Sequence, residues 1–222
     1  MAHLEIAVES LDDALKAASG GARSLEITVD LANGGLTPPI ELVKAVKQAL
    51  TIEAHAMVRP YAHSFAYTQD DDSHIFDAIQ QFKNVGVTGI VFGAVDANNQ
   101  IDLALMRRVI EAASPLKVTL HRALDTSANP DQTLEALRPI LPRVLSSGPA
   151  PSAWEGRETL TRWVQTFPEY EFVLSGGITA EQLSELVSTV RAHVYHIGGA
   201  ARTQGVVDVE KVRQLAAVIN AG

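Results

Sequence analysis

Leu4-Glu5-Ile6-Ala7-Val8, then Ser10-Leu11-Asp12-Asp13-Ala14-Leu15-Lys16-Ala17-Ala18-Ser19, then Ser24-Leu25-Glu26-Ile27-Thr28-Val29 follow one another near the N-terminus and decide the fold. A short apolar run, a stretch with helical spacing and a second short run describe two parallel strands joined by a helix. Ser10 is placed to cap the helix, and Asp12 and Asp13 suit the positive end of its dipole. An open, doubly wound nucleotide-binding sheet would need a glycine fingerprint at the first strand turn. Val8-Glu9-Ser10-Leu11 has no glycine, so a barrel is favoured.

The same alternation continues to the C-terminus. Strands are expected at residues 4–8, 24–29, 52–59, 89–95, 117–124, 143–147, 172–176 and 194–198, about the number that closes a (β/α)8 TIM barrel. The 222 residues suit one such α/β domain spanning residues 1–222, with no linker or low-complexity segment. Thr179 and Gln182 have capping-box spacing, Pro38, Pro39 and Pro130 suit helix openings, and Gly20, Gly21 and Gly86 suit helix ends. Residues 60–72 form the longest irregular stretch and carry Tyr61, His63, Phe65 and Tyr67. Asp70-Asp71-Asp72 there reads either as a solvated surface run or as the start of a helix.

A net charge of −8 disfavours a sequence-independent grip on nucleic acid, which requires clustered Lys and Arg. Met1-Ala-His-Leu-Glu-Ile lacks a basic leader region and no long apolar span follows, so a cytoplasmic protein without membrane contact is expected. The absence of cysteine excludes disulfides and thiolate metal sites. Lys117 is the one lysine outside helical stretches, and it opens its strand at the end away from the expected site, which argues against Schiff-base chemistry. Ser147-Gly148 lacks the glycine of a nucleophile elbow, and His193 and His196 lie on opposite strand faces.

Strands buried on both faces should be apolar, yet Glu5, Glu26, His55, Arg59, His121, Arg122 and His196 interrupt them. Only a barrel interior brings such residues together. We therefore expect a polar cluster of Glu5, Glu26, Arg59 and His121 at the strand ends, joined by Asp125, with Arg59 neutralising the carboxylates. The bland alternative for any one of them is a satisfied buried polar group. Gly176-Gly177 and Gly198-Gly199, after the seventh and eighth strands, are expected to bind a phosphate or carboxylate with help from Arg202, unless they serve turn geometry alone.

Several segments together resemble the CutC family: Leu4-Glu5-Ile6 with Glu9-Ser10, Leu25-Glu26-Ile27, Gly34-Gly35-Leu36-Thr37-Pro38, Arg59-Pro60, Val118-Thr119-Leu120-His121-Arg122-Ala123 with Asp125, and Arg143-Val144-Leu145-Ser146-Ser147-Gly148. The resemblance implies a (β/α)8 fold, a cytoplasmic homo-oligomer and a part in copper homeostasis. The cysteines that some members carry correspond to Ala7 or Val8 and to Thr28 here, so soft thiolate ligands for Cu(I) are missing. His55, His121 and His196 with Glu5 or Glu26 remain as candidate ligands for Cu(II) or zinc. The family's Arg-Pro-Arg loop reads Arg59-Pro60-Tyr61-Ala62-His63-Ser64-Phe65 in this chain. Two functions stay open: copper-ion handling, and acid–base catalysis on a small anionic metabolite, with Arg59 and the glycine turns holding the anion and His121 with Glu26 or Glu5 exchanging protons.

Overall fold

Eight parallel strands pair in chain order and close on themselves, the last bonding to the first. In the computed structural model, which describes residues 2–222, they are β1 (His3–Val8), β2 (Ser24–Ile27), β3 (Glu53–Met57), β4 (Gly89–Phe92), β5 (Lys117–Leu120), β6 (Arg143–Ser146), β7 (Glu171–Leu174) and β8 (Val194–Ile197). The helices are α1 (Leu11–Ser19), α2 (Ile40–Ala49), α3 (Asp72–Val85), α4 (Leu103–Ala113), α5 (Ala123–Thr126), α6 (Pro130–Leu137), α7 (Arg157–Thr166), α8 (Ala180–Val190) and α9 (Val209–Ala221). Among the described residues no helix is long and apolar enough to cross a membrane.

Strand parity separates two interiors. Leu4, Ile6 and Val8, Leu25 and Ile27, Ile90 and Phe92, and their counterparts on the other strands belong to the large core between sheet and helices. The alternate positions face the barrel axis. There only Leu145, Val173 and Val194 form an apolar cluster, on β6 to β8. Apart from Ala7, Met57 and Val91, the rest of the axis is polar, holding the buried Glu5, Glu26, His55, Thr119, Arg143 and His196. The apolar half braces the barrel, and the polar half must satisfy itself.

The expected strands are all present; β1 ends at Val8 as expected, and the other seven end early. The run expected over residues 117–124 stops at Leu120, and Ala123 to Thr126 coil into the short α5. Polar side chains at the barrel rim capture the backbone there: the Ala123 amide donates to His121 Nδ1 at 3.1 Å, and the Ser147 amide donates to Asp125 at 3.0 Å. Val29, expected within a strand, instead forms an antiparallel bridge with Leu36. Thr68 and Asp71 form a capping box ahead of α3, which settles the aspartate run as a helix start.

Ser10 caps α1, accepting from the Asp13 amide at 3.1 Å, and the Thr179–Gln182 box opens α8. Ser10→Ala should lower stability by about 1 kcal/mol in urea unfolding. A change under about 0.3 kcal/mol would show that water caps this end equally well.

Candidate active site

Glu5 lies in the middle of β1, opposite His196 of β8, and is fully buried. An isolated ionised carboxylate there would be prohibitively costly, so partners must surround it. Arg143 Nη2 donates to Glu5 Oε2 at 2.6 Å and Nη1 to Thr119 Oγ1 at 3.0 Å, while Nε lies 3.0 Å from Glu171 Oε2. His196 Nδ1 meets Glu5 Oε1 at 3.1 Å. Burial alone would raise the Glu5 pKa, but Arg143 and the His196 hydrogen bond outweigh it and hold it well below the usual carboxylate range.

The neutralising role expected of Arg59 therefore belongs to Arg143. Arg59 follows the end of β3 and turns outward, donating to the carbonyls of Asn33 (2.9 Å), Gly35 (3.1 Å) and Ala62 (2.7 Å). Its guanidinium also covers the Phe65 ring at 4.6 Å. Arg59 thus pins the loops after β2 and β3 in place and leaves Glu5 to Arg143 and Glu26 to His196.

From Glu5 the charges alternate toward the barrel mouth. His196 Nε2 is 3.9 Å from Glu26 Oε1. Burial disfavours charge on His196, yet Glu26 and then Glu5 overcome it and raise its pKa, favouring the imidazolium. Burial also raises the Glu26 pKa, an effect that His196 offsets only in part and Glu5 reinforces. Glu26 Oε2 is buried and accepts no hydrogen bond. Arg143, Glu5, His196 and Glu26 thus form a line of positive, negative, positive and negative groups, its last two members on the wall of a cavity.

That cavity has a volume of ≈ 770 Å³ and opens at the C-terminal ends of the strands. Met57, Phe65 and His121 line one side, and Gly176, Gly177, Gly198 and Gly199 another. It continues outward over Lys211 and Gln214 of α9. Gly176 and Gly177 adopt φ of +102° and +64°, the left-handed region glycine tolerates best. The cation beside this turn is Arg122, whose guanidinium carbon lies 3.4 Å from where a Gly176 Cβ would sit. Arg202, expected there, instead donates to the carbonyls of Ala7 and Gly198 and to Asp13.

Two further expected residues have other occupations. Asp125 accepts hydrogen bonds from Ser146, Ser147 and Arg122, and so knits α5 to the end of β6 instead of joining Glu5 and Glu26. His121 also contacts neither carboxylate; its ring lies 4.8 Å from that of Phe65. Burial, reinforced by Arg59, depresses its pKa to about 3, so the imidazole is neutral at physiological pH. Of the histidines considered as metal ligands, His196 alone joins an acidic group, with Glu5 and Glu26, whose donor atoms all lie within 4.8 Å of one another. His55 is buried deeper on the axis, 3.7 Å from Glu53.

Fold and site together define a (β/α)8 barrel with a charged interior and a ligand-sized cavity at its mouth. The chain belongs to the CutC family, whose model matches residues 2–203. A CutC family protein of Xylella fastidiosa is 34% identical over an alignment of 240 residues, covering 100% of this chain and 90% of that protein. One from Xanthomonas campestris pv. campestris is 36% identical over 195 residues, covering 87% and 81%. Among solved structures, a CutC protein of Streptococcus agalactiae named for copper homeostasis superposes with a TM-score of 0.83 at 23% identity, over 89% of this chain and 98% of that one. Phosphoribosyl anthranilate isomerase of Thermotoga maritima shares the fold, with a TM-score of 0.68 at 13% identity and 100% coverage of both chains.

Proposed function

We propose that this chain is an acid–base enzyme that moves a proton on a small phosphorylated or carboxylated metabolite, as an isomerase or lyase does. The observation that carries the reading is the unpartnered, buried Oε2 of Glu26 on the cavity wall. A carboxylate whose pKa is raised by burial is a stronger base than one in water, and His196 holds it ready without neutralising it. The glycine turns and Arg122 would take the anionic end of the ligand and leave its reactive carbon to Glu26.

Phosphorylated sugars and organic acids should be screened by thermal shift, and those that bind followed by NMR in D2O. At least one is expected to exchange a carbon-bound proton for deuterium in the presence of the protein. A broad panel with neither a thermal shift nor exchange would overturn the reading.

A second reading, copper-ion handling, is favoured by the convergence of Glu5, Glu26 and His196 and by the copper homeostasis name of the Streptococcus agalactiae relative. Two carboxylates and an imidazole are harder donors than Cu(I) prefers, and Met57 is the one sulfur on the cavity wall. The set suits Cu(II) or Zn(II). However, Arg143 already supplies Glu5 with a counter-charge, and a metal ion would have to displace the proton His196 shares with Glu5. Copper would accordingly be a weakly held cargo. Calorimetry on untagged protein should show Cu(II) or Zn(II) binding with Kd above about 1 μM, roughly 8 kcal/mol, and no measurable Cu(I) binding. The absence of any binding below about 1 mM would exclude copper handling at this site, and tight Cu(I) binding would refute the donor argument.

A further inference from the structure

His121 is held in one tautomer by the backbone. The Ala123 amide donates to Nδ1 at 3.1 Å, so Nδ1 presents its lone pair and the hydrogen of the neutral ring must sit on Nε2. The ring is also clamped from two sides. A Cβ at Gly93 would stand 2.6 Å from Nδ1 and 2.8 Å from Cε1, so only glycine admits the imidazole, and Phe65 packs nearby at 4.8 Å. Nε2 is buried and has no partner in the protein, although His121 lines the same cavity as Glu26. A buried N–H without an acceptor is unfavourable, and at a cavity wall the missing acceptor is an atom of the ligand.

We infer that His121 Nε2–H donates to a carbonyl oxygen of the ligand, which makes the substrate a carbonyl compound with an ionisable C–H beside the carbonyl and the reaction an enolisation. This deepens the proton-transfer reading and rests on it. Glu26 takes the proton from the carbon next to the carbonyl. The electron pair of the broken C–H bond becomes the carbon–carbon π bond, and the carbonyl π pair moves onto oxygen. His121 stabilises that oxygen by hydrogen bonding while keeping its own proton, as a preorganised neutral donor does. Glu26 then returns its proton to the same carbon, which exchanges or inverts it, or to the enolate oxygen, which leaves the enol, and no oxidant or reductant is consumed. His121 is thus an electrophilic donor, and the proton-exchanging role expected of it falls to Glu26.

Protein labelled with 15N-histidine tests the tautomer at pH 7 without a ligand: Nε2 should be protonated and Nδ1 bare. The probe 2-phosphoglycolate combines a phosphate with a carboxylate resembling an enolate. It should shift the His121 Nε2 resonance, whereas inorganic phosphate should not. His121→Asn, which keeps an N–H donor, should hold the probe within about tenfold of the unmodified protein, and His121→Leu should weaken it about a hundredfold. A ring protonated on Nδ1, an Nε2 resonance unmoved by 2-phosphoglycolate, or equal affinities of the two variants would each overturn the inference. Deuterium exchange on a carbonyl substrate that is unchanged in His121→Leu would overturn it alone and leave the proton-transfer reading standing. A response at Nε2 with no exchange on any carbonyl compound would overturn the enolisation, and the absence of both thermal shift and exchange across the whole panel would overturn the proton-transfer reading with it.

Discussion

Arg143→Met is expected to destabilise the barrel by about 3–5 kcal/mol at pH 7, because it strands an ionised Glu5 at the centre of the fold. Glu5 is fully buried, and His196 alone would remain to satisfy it. The sign of the pH dependence follows from its depressed pKa. A carboxylate held below its unfolded value contributes stability above that value, near 4.5, and loses the contribution as pH falls through the folded pKa. Without Arg143 the folded pKa rises, so the variant's deficit should be smaller at pH 4 than at pH 7. Glu5→Gln combined with Arg143→Met removes both charges and should recover most of the loss, since a neutral pair of similar shape needs no counter-ion. Urea unfolding of the unmodified protein and the two variants at both pH values measures this. A single-variant loss below about 1 kcal/mol, or no recovery in the double variant, would mean that Glu5 draws its stabilisation from elsewhere.

The partner of Glu5 was the part of the site least accessible to sequence reasoning. Parity along a strand shows which residues share a face, but Glu5 and Glu26 were expected in the interior because charged residues interrupt buried strands, and both are buried there, as is the candidate metal ligand His196. What parity cannot show is height. A closed barrel staggers its strands, so Arg143, the first residue of β6, comes level with Glu5 in the middle of β1, across the axis. Arg59 has the right parity on β3 but lies beyond the strand's end, where loop carbonyls take it. Arg122, which interrupts the fifth expected strand, was left out of the expected cluster. An unbroken strand over residues 117–124 would face it outward, but the chain turns after Leu120 and brings it to the cavity. The glycine turns after β7 and β8 were visible because their chemistry is local. The conflict of a charge within a buried strand could be read from composition, while its resolution required the register of the closed sheet.

Glu26→Gln should make the protein more stable and much less active. For an acid whose folded pKa is raised, ionisation costs stability, and the cost grows as pH climbs above the unfolded value of 4.5 and is complete above the folded one. Glutamine removes the charge while keeping the shape. His196 opposes the gain, since its own raised pKa contributes stability below 6.5 that is lost as pH rises through the folded value, and the charge of Glu26 is the first of the causes that raise it, with Glu5 adding a hydrogen bond and a charge of its own. Yet the Glu26 pKa stays raised despite His196, so the balance favours glutamine. At pH 8 the variant should gain about 1–3 kcal/mol, the usual cost of a buried polar group left unsatisfied, and the gain should shrink toward pH 5. Deuterium exchange on a substrate should meanwhile fall about 10²–10⁴-fold, as expected when a general base is lost. A structural Glu26 would give the opposite pattern, with stability lost and exchange untouched. An unsatisfied Glu26 Oε2 kept at the mouth of a barrel at the expense of stability is what the proposed proton transfer requires.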